Sequence, residues 1–507
     1  MTPMDLTHLA DEPGTVQAAR DRSEGWWGRR ALADGLEAGA THRPDAVAVA
    51  DATESLTYRA AAGRVAQTIT ALRDRGVDAG SRVVLVAGNT VAGWAAYHAG
   101  VRLGAVMVVL DRRVGDADRH HAHDLLGPGA VEIVAPTLAV TALDPSADPP
   151  WSEPDRTAPR VILFTSGTTG RPKAVVHSLD SLTAGADNMA RITGADEQAV
   201  YYLVSPLTSI AGLTQVHLCA DRHATLVLDD DFDAERALDR INAVGATHLG
   251  GAPVIAERLL RAAAARPDRR CALRNVALGG AMLPRPLLEQ AAGEFGLEVA
   301  RVYGSSEMAC ATGSVPTDDR DARLADDGLL MPGTEVRVGS AEHPQEGLLR
   351  GPARCLGYAD PADHAAAFVD GWYRTGDLVE VTDGRLTVVG RLKDVVVRNG
   401  LKISLPQVED ALTGLPGAEE VAAFAVADPE TGERLAVAVW PRPGAVVPLA
   451  AVVAHCSAAG LAVRWLPEQV VIWDGPLPRT TSGKVVRSRL VMDAPGLPTE
   501  LAERCDP

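Results

Sequence analysis

Lysine is nearly missing from this chain. Its 507 residues include four, Lys173, Lys393, Lys402 and Lys484, beside 45 arginines. Arginine evidently serves wherever any cation will do, so the surviving lysines mark places that need a compact, flexible ammonium instead of a planar guanidinium. Cysteine is sparse. The six (Cys219, Cys271, Cys310, Cys355, Cys456 and Cys505) form no CxxC pair and have no zinc-ligand spacing, which excludes a disulfide framework and predicts free thiols in a reducing cytosol. No run of 18 apolar residues occurs, so no membrane span is predicted. The opening stretch MTPMDLTHLADEPG lacks the basic region and apolar run of a secretion signal, and the expected location is cytoplasmic. Basic charge is also in deficit, 49 residues against 66 acidic ones, for a net charge of −17. Such a surface repels a phosphate backbone and excludes nucleic acid as a partner.

What is present is enough chain for more than one domain, with an ordinary globular balance of 46% apolar and 23% charged residues. Residues 57–75 carry apolar positions at helical spacing and lead into the apolar strand Val83 to Ala87. A second helical stretch, VAGWAAYHAGVRLG, leads to the apolar run Ala105 to Leu110. Helices alternating with continuous apolar strands predict parallel sheets covered by helices, hence an α/β fold. Residues 144–159, rich in Pro, Asp and Ser, read as an exposed connector before the strand Val161 to Phe164. From Gly328 to Gly390 short strands with Gly-containing turns predict a small β subdomain. Two domains follow: a large N-terminal one of layered sheets and helices over 1–390, and a smaller α+β one over 391–507. Three further clusters have plain structural readings. His120, His121 and His123 fall on a surface helix without metal spacing, Asp229 to Asp231 form a solvated turn, and Trp26 and Trp27 serve packing.

The sharpest chemical signal is the stretch Thr165, Ser166, Gly167, Thr168, Thr169, Gly170, Arg171, Pro172, Lys173, directly after an apolar strand. Glycines let the backbone turn tightly and aim N–H groups at an anion; the hydroxyls and the Lys173 ammonium complete a phosphate cradle. It is not the GxxxxGK[ST] loop, because its spacing differs and a proline precedes the lysine. Further along stand Leu278-Gly279-Gly280-Ala281, Tyr303-Gly304-Ser305-Ser306-Glu307, Tyr373-Arg374-Thr375-Gly376-Asp377-Leu378, Gly390-Arg391-Leu392-Lys393-Asp394 and Pro478-Arg479-Thr480-Thr481-Ser482-Gly483-Lys484. Tyr303 offers an aromatic face for a flat base, with Gly279 and Gly280 allowing close approach. Ser306 offers a donor, and Glu307 a hard carboxylate oxygen suited to Mg²⁺. Asp377 can accept two hydrogen bonds from a diol.

In this order, across 165–484, the six motifs resemble those of the adenylate-forming superfamily: acyl-CoA synthetases, peptide-synthetase adenylation domains and firefly luciferase. The pattern is nearest to acyl- and aryl-CoA ligases. The resemblance implies ATP and Mg²⁺ as cofactors, with Thr165 to Gly170 and Lys173 around the triphosphate. It implies Gly279, Gly280, Ala281, Tyr303 and Gly304 around the adenine, Ser306 at the α-phosphate and Glu307 on the metal. Asp377 is implied at the ribose, with Arg391 beside it. Thr168, Lys173, Glu307 and Lys484 are the implied catalytic residues, Lys484 stabilising the charge that builds as a carboxylate attacks phosphorus. Lys393 matches the hinge about which the C-terminal domain rotates between the two half-reactions. Lys402 lies in the segment brought over the site in the second state, and reads equally as a solvated lysine.

One departure concerns the acid pocket, expected around Ser209, Gly212 and Met308. Many acyl- and aryl-CoA ligases carry an aromatic residue or His at the gate, where this chain has Ser209. No acidic residue occurs from Leu203 to Val216, where amino-acid-activating relatives keep an aspartate, which argues against an α-amino acid substrate. The expected reaction is activation of a small aliphatic or aryl carboxylic acid as acyl-AMP, then transfer to coenzyme A by a monomer or homodimer. The alternatives are transfer to the phosphopantetheine thiol of a carrier protein, or to an amine, including activation of unusual acids such as nitrite for N–N bonds. A catalytically silent nucleotide-binding protein is the reading from another class.

Overall fold

A computed structural model describes residues 4–9, 12–28, 32–135, 155–165, 172–267, 270–280, 283, 285–340, 345–392, 394–399, 401–479 and 485–502. Ser166, Gly167, Thr168, Thr169, Gly170, Arg171, Ala281, Lys393 and Lys484 lie outside the described residues, as does the side chain of Lys402. The chain divides into two compact units. The first comprises Met1–Arg337, Leu348–Thr375 and Val381–Thr387; the second comprises Val338–Gly347, Gly376–Glu380 and Val388–Pro507.

In the first unit the helical pattern of 57–75 forms Tyr58–Arg73, started by the Thr57 side chain, which accepts from the Ala60 N–H. The strand Arg82–Ala87 (β1) follows, then Val91–Leu103 (α1), capped by Thr90 and ended by Gly104 at φ +73°. Next come Val106–Asp111 (β2), Val131–Val134 (β3), Val161–Thr165 (β4) and Lys173–His177 (β5). Strands β1 to β4 pair in parallel, whereas β5 turns back antiparallel on β4 with Thr165 opposite Lys173. The phosphate-loop candidate thus starts and ends on one paired rung.

After the helix Leu179–Thr193 (α2), a second sheet is built from Val200–Leu203 (β6), Thr225–Leu228 (β7), His248–Gly251 (β8), Asn275–Gly279 (β9) and Glu298–Tyr303 (β10). Its spatial order is β10-β9-β8-β6-β7, all parallel. Between β6 and β7 runs Ile210–Arg222 (α3). Helices α1, α2 and α3 bury apolar faces in one continuous core with both sheets, holding Trp94, Leu182, Val216 and Leu228. Beyond β10 the antiparallel texture expected after Gly328 is found, Thr312–Gly313 pairing with Leu329–Leu330 and Leu329 with Arg385. The short strand Gly357–Tyr358 (β11) returns to the first sheet and pairs with β5.

The second unit has its own core. Val395–Arg398 (β12), Leu401–Ser404 (β13), Ala418–Asp428 (β14), Gly432–Pro441 (β15) and Gln469–Ile472 (β16) form one sheet. A long hairpin, β14 with β15, supplies Ala423, Val437 and Val439 to a cluster with Val408 and Val452. The hairpin turn is tied by Asp428, which accepts from the Glu430 and Thr431 N–H groups.

Two structural expectations can be compared directly. Trp27 is 7% exposed and donates its indole N–H to the Pro352 carbonyl at 2.9 Å, a packing role. The solvated turn expected at 229–231 is corrected at Asp229, while Asp231 is exposed as expected. Asp229 is buried and accepts from the Tyr202 hydroxyl at 2.7 Å, while Asp230 and Asp231 both pair with Arg112. Asn89 lies behind the difference. Its amide donates to the carbonyls of Ser205 and Asp229 at 3.0 Å each, its Oδ1 accepts from the Leu207 N–H at 2.6 Å, and its own N–H goes to Asp230. Asp229 and Asp230 are therefore taken up in stitching the β1–α1 loop to the ends of β6 and β7. Asn89→Ala leaves the buried Leu207 N–H and two carbonyls without their partner. It should cost about 2–3 kcal/mol, read as a lower urea midpoint at unchanged slope.

Candidate active site

The described part of the site in the first unit lies where β5, β10 and β11 end. Glu307 follows β10, is 7% exposed, and is held from several sides. Its N–H donates to Ser305 Oγ at 3.2 Å, its carbonyl accepts the Cys355 N–H at 2.7 Å, and its Oε1 accepts the Tyr358 hydroxyl at 2.5 Å. Burial first, and then the charge of Glu307, push the Tyr358 phenol far above its ordinary range, so Tyr358 stays the donor. Lys173, at the end of the candidate phosphate loop, pairs with Asp363 at 2.9 Å, and its ammonium lies 5.1 Å from the centre of the Tyr358 ring.

Behind this group, His177 at the end of β5 donates from Nε2 to the Ser306 carbonyl at 2.7 Å, with Nδ1 3.1 Å from Ser181 Oγ. Burial depresses its pKa from 6.5 to about 4, so it remains a neutral spacer at physiological pH. His217 is held lower still, at about 3, again by burial, and His98 is likewise lowered. Because these folded-state pKa values lie below the unfolded value, the unfolded chain binds more protons, and stability is lost as pH falls from about 6.5 towards 4. His177 alone should account for about 2 kcal/mol between pH 7 and pH 5. His177→Gln keeps a donor for Ser306 but not the proton site, so urea midpoints at the two pH values should lie closer together than in the native chain.

The site glycines separate by cause. At Gly279 a Cβ would stand 2.3 Å from the Val302 carbonyl oxygen, so the close approach there is to the neighbouring strand, not to a flat base. At Gly304 a Cβ would meet the Cys310 backbone nitrogen at 2.6 Å, which the tight turn from Ser305 to Met308 requires. Gly280 differs: φ is +78° and nothing lies within 4 Å of a Cβ, so the left-handed backbone asks for glycine and leaves open space above it. Tyr303 is half-buried at the end of β10, packed against the cluster of Met308, Tyr358 and Tyr373.

The acid-pocket candidates have other occupations as well. Ser209 is the N-cap of α3, accepting from the Gly212 N–H at 3.1 Å and donating to the Pro206 carbonyl at 2.7 Å. A Cβ on Gly212 would lie 2.1 Å from that same carbonyl oxygen. Met308 is fully buried among Val175, Ala311 and Leu349, with no surface left to offer an acid. In the second unit, Asp377 is 5% exposed and pairs with Arg391 Nε at 2.7 Å, which sets its carboxylate and the guanidinium side by side. Sequence reading passed over His177, Tyr358, Asp363 and Asn89. For His177 the available signal was a polar residue ending an apolar strand, Val175-Val176-His177.

Among the described residues no group of three or more His, Cys, Asp or Glu is placed to hold a metal. The donor chemistry present, one buried carboxylate, fits a Mg²⁺ that keeps waters and takes phosphates as further ligands, not a closed protein cage. No helix among the described residues is long and apolar enough to cross a membrane.

The family described as AMP-binding enzyme matches residues 36–358, and the AMP-binding enzyme C-terminal domain matches 407–484. A salicylyl-CoA synthase / salicylate adenylyltransferase from Streptomyces is 32% identical, covering 96% of this chain and 98% of its own length. A fatty acid–[acyl-carrier-protein] ligase of Mycobacterium marinum is 28% identical over 90% of this chain and 96% of its own. Among solved structures, o-succinylbenzoate CoA synthetase of Bacillus subtilis, with its acyl-adenylate intermediate, superposes with a TM-score of 0.80. It is 23% identical and covers 90% of this chain and 97% of that one, which shows the shared fold.

Proposed function

The chain belongs to the family of AMP-binding enzymes, and from that premise we propose that it is an acid–thiol ligase acting on a small aryl or aliphatic carboxylic acid. The acid's carboxylate oxygen attacks the α-phosphorus of ATP, the bond to the β-phosphate breaks, and pyrophosphate leaves. The sulfur of coenzyme A then attacks the acyl carbon, releasing AMP and the thiol proton. The observation that carries this reading is the cluster of Lys173, Tyr358 and Glu307. It sets an ammonium and a metal-suited carboxylate on the same phenol, beside the strand pair that brackets the phosphate-loop candidate.

Each residue has a task in that scheme. The hydroxyls and backbone of Thr165 to Gly170 grip the triphosphate with Lys173, and His177 holds the Ser306 carbonyl so that the Ser306–Glu307 segment keeps its place. Glu307 would hold Mg²⁺, which supplies charge neutralisation on the phosphates. Asp377 and Arg391 are proposed at the ribose, Lys393 as hinge, and Lys484 at the reacting carboxylate and α-phosphate. The domains are proposed to divide near Lys393, as 1–390 and 391–507.

The deciding experiment is pyrophosphate release over a panel of acids, with and without coenzyme A, opening on hydroxybenzoates because of the Streptomyces relative. Acid-dependent release with a free thioester product supports the proposal; acid-independent or absent release removes it. The Mycobacterium marinum relative favours one second reading, transfer to a carrier protein, in which the carrier gains the acyl mass and free coenzyme A yields nothing.

A further inference from the structure

Tyr358 has no role in the scheme above, yet it touches both groups that face triphosphate charge. It is 5% exposed on β11, its hydroxyl on Glu307 Oε1 and its ring face 5.1 Å from the Lys173 ammonium. Two mechanisms meet in this one side chain. A hydrogen bond to an ionised carboxylate restrains the direction in which the remaining lone pairs point. An aromatic face attracts a cation without consuming its three N–H donors, which stay available to a ligand. Asp363 pairs with the same ammonium, and with side-chain exposures of 25% and 35% that ion pair is weak enough to exchange for phosphate. The frame behind the phenol is stiff: β11 is pinned to β5 through Tyr358 opposite Val175, and the ring packs edge-on to Phe368 at 6.1 Å.

We propose that Tyr358 is a positioning residue for the metal–triphosphate complex. Its hydroxyl orients Glu307 towards Mg²⁺ while its ring seats the Lys173 ammonium, so that one rigid side chain sets the spacing between the two. This inference rests on the proposed ATP-dependent activity and adds to it a residue that reaches the nucleotide only through its neighbours.

The two halves of the role separate by substitution. Tyr358→Phe removes the hydroxyl and keeps the ring; Tyr358→Leu removes both. ATP affinity is measured by titration calorimetry on the full-length protein, once with Mg²⁺ and once with EDTA. Tyr358→Phe should weaken binding about tenfold with Mg²⁺ and leave EDTA binding within about twofold. Tyr358→Leu should weaken binding about two- to fivefold in EDTA as well. In a double-mutant cycle, Tyr358→Phe should have no further effect on the Mg²⁺ dependence once Glu307→Gln is present, a readout that holds even if Tyr358→Leu fails to fold. Equal weakening by Tyr358→Phe in both conditions, or additivity with Glu307→Gln, overturns the inference and leaves a purely structural tyrosine. If the native chain binds ATP and Tyr358→Phe binds it identically, this inference alone falls. If the native chain binds no ATP, the proposed function falls with it.

Discussion

Lys484→Ala should lower acid-dependent pyrophosphate exchange by roughly 10²–10³-fold while leaving thioester formation from pre-made acyl-adenylate nearly intact. The magnitude is that of removing one preorganised donor from a developing oxyanion. In the proposed scheme negative charge gathers on the attacking carboxylate and the α-phosphate, and a single ammonium placed there stabilises the transition state more than the separated reactants. The second half-reaction builds its charge on the acyl carbonyl oxygen, so an ammonium dedicated to the first step is not needed in it. Lys484→Arg should rescue little. In a chain where 45 arginines stand in for almost every cation, a lysine kept within a Thr-Ser-Gly stretch points to a place where the wider fork does not fit. Equal loss in both half-reactions would contradict the assignment of Lys484 to adenylation, and with it the hinge proposed at Lys393.

Glu307→Gln should reduce kcat/KM for ATP on the order of 100-fold and raise the Mg²⁺ concentration needed for half-maximal rate. Glutamine is nearly isosteric and its amide oxygen still accepts from the Tyr358 hydroxyl, so the buried hydrogen bond survives and thermal stability should change little. What disappears is the negative charge that a hard divalent cation requires. The measurement is a Mg²⁺ titration of pyrophosphate exchange beside a melting curve. A large fall in melting temperature with unchanged Mg²⁺ requirement would make Glu307 a structural residue.

Both residues are visible as motifs, and the two differ in how much the fold adds to them. The α/β class and the parallel strands were legible in sequence because they depend on local periodicity. The apolar spacing that became Tyr58–Arg73 and the apolar run that became Val106–Asp111 are examples. The order of the chemical motifs was legible too, since each is contiguous and its residue types bear the mark of its ligand.

What lay beyond sequence were contacts between residues far apart in the chain. Tyr358 meets Glu307 across 51 positions, Asn89 reaches the Ser205 carbonyl across 116, and His177 reaches Ser306 across 129. The acidic run at 229–231 looked solvated because net charge is a local property, whereas burial depends on which loop arrives to pair with it. Likewise Gly279 and Gly212 resembled ligand-contact glycines, and only the strand beside one and the Pro206 carbonyl beside the other revealed what a side chain would strike. Composition and local pattern determined which chemistry this chain is equipped for. The packing of β5, β10 and β11 decided which side chains hold that chemistry in place, because hydrogen bonds and close contacts are set by distance in space and not along the chain.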